Sequence, residues 1–284
     1  MLSEVVSESV LETVATEAHA RGVATRAHPA PVAPVDVRRV VVATGAVAAV
    51  IAGIMLNVSV LPDDGVLPAL VALLLGLVLV PLAASPIEWF VHRFVYHQPV
   101  VRGLAAIFVV HTAHHYSYFP TWRYVTAGPA RRLSIRRRGP DVHLRALRNA
   151  GVRLAHFGWY MSFGVVFIWL PAWLVTGNVW FLGGVVTSSA VVSNLFIVVH
   201  DTIHRPGSHR VVEAQPWFAF LDRHHFVHHV DLGCNLNFLL PLADLLFGTL
   251  RTGLSDDEVA RHGSLETAKA VPVGEGERVR RATA

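Results

Sequence analysis

The 284 residues are 53% hydrophobic and only 15% charged, against roughly 25% charged in an ordinary soluble domain, which points to a polytopic membrane protein. The net charge of +4 rests almost wholly on arginines set between apolar segments, so it reads as membrane topology and not as nucleic-acid binding. A single cysteine, Cys234, excludes intramolecular disulfides, cysteine-based zinc sites and iron–sulfur clusters held within the chain.

In chain order, residues 1–37 carry Glu4, Glu8, Glu12 and Glu17 where a secretory leader would have a basic start and an apolar core. They are expected to be a cytosolic extension, partly disordered, with a Pro-rich linker at 28–36. An apolar run from Val40 to about Leu61 is long enough to cross a hydrocarbon core of ~30 Å. After the polar turn at 62–65 a second run extends from Val66 to about Ala84 and leads toward the first histidines. The stretch 116–153 holds nine arginines, which the positive-inside rule places in the cytoplasm. Third and fourth spans are expected from about Leu154 to Val175 and from Val179 to about Val199. The expected fold is therefore all-α: four transmembrane helices in two hairpins, capped by a cytosolic helical His-rich domain. The membrane-embedded domain covers 38–252, and 253–284 is expected to be a disordered tail. Both termini and the His-rich domain fall on the cytoplasmic side. Lys269 is the only lysine, a bias that suggests a GC-rich bacterial genome and hence a bacterial cell membrane.

Ten of the seventeen histidines form four clusters. His92 and His97 lie in HRFVYH, and His111, His114 and His115 in HTAHH. His200 and His204 lie in HDTIH, and His225, His228 and His229 in HFVHH. Imidazole is a good ligand for iron, zinc, copper and nickel, and ten are too many for one ion, so the pattern implies two metals. On a helix, residues three and four apart share a face while adjacent ones diverge by about 100°. On that geometry His111 and His114 converge on one ion and His115 turns to the other. His225, His228 and His229 repeat the arrangement, His200 and His204 chelate one ion together, and His92 and His97 supply one ligand to each. A solitary histidine at a helix end is ordinarily a polar interfacial residue, the reading given to His19, His28, His143, His156, His209 and His262. Two HxxHH repeats are not explained that way. Metal-bound imidazoles usually donate their other N–H to a carboxylate or carbonyl; Asp201 and Asp222 are candidates for that role, with Glu88 and His224 as further supporting residues.

The ordered clusters, together with EWFVHR at 88–93 and DLLFGT at 244–249, resemble the fatty acid hydroxylase/sterol desaturase superfamily of integral-membrane di-iron oxygenases over roughly residues 80–250. DLLFGT looks like the D-x-x-F-G-T ending common in that family. Departures leave the subgroup open. No HPGG haem signature of a fused cytochrome b5 is present, the third cluster is not the HDGLVH of carotenoid hydroxylases, and YFPTWRYVTAGP only loosely matches the hydroxylase P-x-D-x-x-R-L stretch.

The resemblance implies a four-helix stalk, two iron ions, and O2-dependent hydroxylation of an unactivated C–H bond in a lipid-like substrate (acyl, sterol or isoprenoid). Carried over by position, one metal takes His97, His111, His114, His225 and His228. The other takes His92, His115, His200, His204 and His229. Zinc can substitute in purified protein, but it is redox-inert. Two electrons must come from an external donor such as a ferredoxin or cytochrome b5 with its reductase. The arginine-rich stretch offers that donor a docking face, although topology and contact with anionic lipid are the simpler and favoured explanation. Phe90, Phe94, Tyr96, Phe196 and Trp217 are candidate substrate-lining residues or ordinary packing. Alternatives are a desaturase or ketolase of the same superfamily, a metal transporter, and a non-catalytic metal-binding membrane protein. The spans contain no acidic residue, which argues against transport.

Overall fold

The computed structural model describes residues 34–62, 64–98, 100, 102–104, 107–108, 111–112, 114–115, 154, 157–158, 161–162, 164–204 and 209–266. The expected N-terminal extension up to 33, the basic stretch 116–153 and the tail beyond 266 lie outside them.

All regular elements among the described residues are helical. Helix α1, Val37–Ser59, starts at Asp36, whose carboxylate accepts from the Arg39 N–H at 3.2 Å and so satisfies one orphan donor of the first turn. Helix α2, Val66–Val91, passes Pro81 and Pro86 and runs on as a π-helical turn, His92–Tyr96. A second π-helical turn, Val165–Trp169, leads into α3, Leu170–Thr176. Helix α4 spans Val179–His204. The short α5, Arg210–Glu213, precedes α6, Phe218–Val230, α7, Leu242–Phe247, and α8, Asp256–His262. Among the described residues, three stretches are long and apolar enough to cross a membrane: α1, Val66–Tyr96 and α4. The remaining expected span, 154–175, is described only in part; its latter half is the shorter apolar helix Val165–Thr176.

The described chain divides into two compact units, one holding 36–87 and 154–201, the other 34–35, 88–115 and 202–266. In the first, Val58, Ala72, Leu79, Val80, Ile168, Ala172, Phe181 and Val185 form an apolar core. Helices α2 and α4 approach closely at Gly76 and Gly184. A Cβ on Gly76 would run into the Phe181 carbonyl oxygen, and one on Gly184 into that of Leu73. Small residues at such crossings let backbones approach where lipid offers no hydrophobic driving force. The Ser188 hydroxyl donates to the Leu77 carbonyl at 2.9 Å across the same contact, and Trp169 Nε1 donates to Ser189 Oγ at 2.8 Å.

The second unit has another character. Helix α6 buries nine of its residues, among them Asp222, His224, His225, His228 and His229, and exposes only Ala219, Phe220 and Arg223 in its first turns, a much narrower solvent stripe than a surface helix carries. The tail expected to be disordered from 253 contains α8. Ser255 and Glu258 form a reciprocal capping box at its start, and Glu258 also pairs with Arg251, whose guanidinium reaches Asp231 as well.

Candidate metal centre

Nine of the ten cluster histidines gather into two groups, all within the second unit. His92, His97, His111, His115 and His228 form one; His114, His204, His225 and His229 form the other. Within each, the candidate ligand nitrogens lie within 4.8 Å of one another. The groups abut, with the rings of His115 and His229 4.4 Å apart.

This partition differs from the sequence expectation, and helical geometry explains how. His111 pairs with His115, not His114, their Nε2 atoms 3.0 Å apart. His225 pairs with His229, not His228, at 3.2 Å. Spacings of three and four both share a helix face, and here the four-residue pairs converge. His92 and His97, expected to diverge, join the same group because residues 92–96 form a π-helical turn closed by the His97 N–H donating to the His92 carbonyl at 3.0 Å. An i→i+5 turn brings residues five apart into line, and the two rings stack with centroids 4.9 Å apart. His200 belongs to neither group. It lies in the first unit, stacked on Phe196, while His204 sits 3.0 Å from His225 through the Nε2 atoms.

The donor geometry fits metal ions. Nε2 separations in the first group are 3.0 Å for His92–His111, 3.2 Å for His97–His228 and 3.4 Å for His97–His111. Metal–nitrogen bonds of about 2.0–2.1 Å place neighbouring ligands of a tetrahedral or octahedral ion roughly 2.9–3.4 Å apart. Neutral imidazoles aiming lone pairs at one another repel unless a proton or cation lies between them. A proton is disfavoured here. Burial, together with the surrounding rings, holds His97, His111, His115, His228 and His229 well below the ordinary histidine value. The arrangement is suited to a cation.

Two imidazoles are anchored from behind. His92 Nδ1 donates to the Leu236 carbonyl at 2.6 Å and His228 Nδ1 to the Cys234 carbonyl at 2.8 Å. A carbonyl only accepts, so the proton must sit on Nδ1 and the Nε2 lone pair faces the group. These acceptors come from the loop 231–241. Asn235 adopts φ +52 there, a left-handed conformation that asparagine tolerates better than most residues. Its side chain donates to the carbonyls of His224 and Arg251 and accepts from the Arg251 N–H.

The expected supporting residues divide. Glu88 accepts from the Phe238 N–H at 3.0 Å and from Asn237 Nδ2 at 3.3 Å, so it holds the loop and not an imidazole. His224 Nε2 likewise donates to the Asn237 carbonyl at 2.7 Å. Asp222 is buried on α6, and Asp201 lies at the end of the first unit, next to His200. Of the candidate lining residues, Tyr96 packs against His92 and His111, Phe90 and Phe94 pack on Trp89, and Trp217 is exposed. Residues that the sequence did not single out as supports are Asn235, Asn237, Asp244 and Thr249. Burial pushes the Asp244 carboxyl up to about 6 even though three hydrogen bonds favour its charge.

The chain matches no protein-family model, no curated protein and no solved structure.

Proposed function

We propose that this chain is a membrane-embedded di-iron oxygenase that hydroxylates an unactivated C–H bond of a lipid-like substrate, using O2 and two electrons from an external donor. The observation that carries the reading is the pair of abutting imidazole groups in a chain with three apolar helices of spanning length. The ordered histidine clusters of the fatty acid hydroxylase/sterol desaturase type add to it. On this reading one iron is held by His92, His97, His111, His115 and His228, and the other by His114, His204, His225 and His229. Iron bound there supplies the redox chemistry with O2 that no side chain of the chain provides. The protein's own part is to fix the imidazoles, to keep them unprotonated through burial, and to exclude water. The segment 154–175 completes a fourth span, which gives two hairpins with termini and metal centre in the cytoplasm. The basic stretch 123–153 faces the electron donor or anionic lipid.

Purified from iron-replete cells, the protein should contain about two irons per chain and consume O2 only with a reductant. A host expressing the wild type should accumulate a hydroxylated lipid that is absent with His228→Ala. Zinc in place of iron, with no O2 uptake after iron reconstitution, would exclude the oxygenase. An alkene or ketone product would move the assignment to a desaturase or ketolase.

A further inference from the structure

Two stretches that carry no ligand beyond His92, EWFVHR at 88–93 and DLLFGT at 244–249, meet in one buried network. Trp89 Nε1 donates to Thr249 Oγ1 at 2.9 Å, and the Thr249 hydroxyl donates to Asp244 Oδ1 at 2.6 Å. The Trp89 ring packs edge-on against Phe247 with centroids 4.8 Å apart. Gly248 makes this closure possible. It ends α7 at φ +82, so that the N–H groups of Gly248 and Thr249 both turn back to the Asp244 carbonyl, a left-handed position that glycine fills without strain.

The Asp244 carboxylate is fully buried and also accepts from the Leu236 N–H at 2.9 Å and the Asn237 N–H at 2.7 Å. Asn237 returns the contact, its Oδ1 accepting from the Asp244 N–H at 3.1 Å. The peptide units fixed in this way belong to the loop whose Leu236 and Cys234 carbonyls receive His92 and His228. Both imidazoles are in the five-histidine group.

We propose that Asp244, braced by Thr249 and Trp89, is a positioning residue for the five-histidine group. Through the Asn237 N–H it fixes the peptide unit of the Leu236 carbonyl, and the adjoining Thr249, whose carbonyl accepts from the Asn235 N–H at 2.9 Å, fixes that of the Cys234 carbonyl. Together they set the tautomer and aim of His92 and His228 and so the metal affinity of that group. The proposal rests on the reading of the histidine groups as metal sites and is independent of which metal or reaction they serve. Its physical basis is that partners behind a ligand imidazole set both its orientation and its basicity, and their loss typically weakens metal binding about 10–100-fold.

The test uses the full chain in detergent, stripped with a chelator and titrated with cobalt(II), whose visible absorption reports each coordination environment. Wild type should bind two ions. Asp244→Asn replaces one acceptor oxygen with an amide that opposes the backbone N–H groups. It should weaken one ion by about 10–100-fold with a changed spectrum and leave the other unaltered. The weakened ion must be the one lost in His97→Ala and kept in His204→Ala. Thr249→Val, which preserves both backbone contacts of Asp244, should produce a smaller loss at the same ion and supplies the readout if Asp244→Asn does not fold. Equal weakening of both ions, no weakening, or unfolding of both variants overturns the proposal. Failure of the wild type to bind cobalt at all would overturn the metal reading beneath it, a distinguishable result.

Discussion

The two units of this protein solve opposite problems. The first is held by close packing: a core of aliphatic residues and one phenylalanine, and two helices brought together at Gly76 and Gly184. Among its described residues, hydroxyls such as those of Thr176 and Ser189 donate to carbonyls of their own helices and leave the packing to apolar contact. The second buries histidine, aspartate and asparagine, and spends its loop 231–241 satisfying them. Packing tolerates a swap of similar volume, whereas a buried polar group that loses its partner pays the full desolvation cost. The first unit should therefore respond to changes of shape, and the second to changes of charge and hydrogen bonding.

Acid separates them most strongly. In the unfolded chain these imidazoles take up protons as the pH falls below about 6.5. In the folded metal-free protein burial and the surrounding rings hold His97, His111, His115, His228 and His229 well below that value. The unfolded state then binds more protons, so their contribution to stability is complete above about pH 6.5 and is lost as the pH falls below it. Bound metal shifts the dependence in the same direction, because protons compete for its ligands. Hydrogen exchange across a pH series should show α6 opening below pH 6.5 while α1 stays protected. Equal loss of protection in both would erase the contrast.

The contrast also decides what could be read from the sequence. The helices of spanning length follow from apolar runs, so α1, α2 and α4 fall close to the expected segments. The cluster histidines stand out by spacing alone. Their partition does not, because spacings of three and four share a helix face equally well and nothing in HRFVYH announces a π-helical turn. His200, one turn before His204, has the spacing of a ligand, yet it stacks on Phe196. The carbonyls behind His92 and His228 leave no trace in the sequence, since every residue has one. The capping box of α8 was legible as Ser255 followed by Glu258 three residues later, in a stretch expected to be disordered.

Within the second unit, Asn235 carries the next largest effect. Asn235→Ala removes contacts to His224 and Arg251 and places a Cβ without local hydrogen bonding at φ +52. Three hydrogen bonds at about 1 kcal/mol each give an expected loss of roughly 3 kcal/mol, to which the change adds only the part of the left-handed backbone cost by which alanine exceeds asparagine. Asn235→Gly should recover the strain portion alone. Chemical denaturation of the two variants in detergent would separate hydrogen bonding from backbone conformation; identical midpoints would mean that the φ value costs nothing.

The first unit should answer to shape in the same experiment. Gly184→Val forces a branched side chain toward the Leu73 carbonyl and to within 3.0 Å of the Leu77 nitrogen, so α2 and α4 must separate. Overpacking of this kind costs about 1–3 kcal/mol, and the separation also stretches the Ser188 bond to Leu77. Gly183→Val is the control: a Cβ there meets only the end of the Leu73 side chain at 3.9 Å, and its effect should be near zero. Both substitutions place the same residue in the same helix one position apart. A difference in melting temperature between them therefore isolates the helix contact from helix propensity, and cobalt binding by Gly184→Val should stay at the wild-type level if the units are stabilised separately. Equal melting temperatures for the two variants would show that the glycine contact contributes nothing, and loss of cobalt from Gly184→Val would show that packing in one unit sets the geometry of the other.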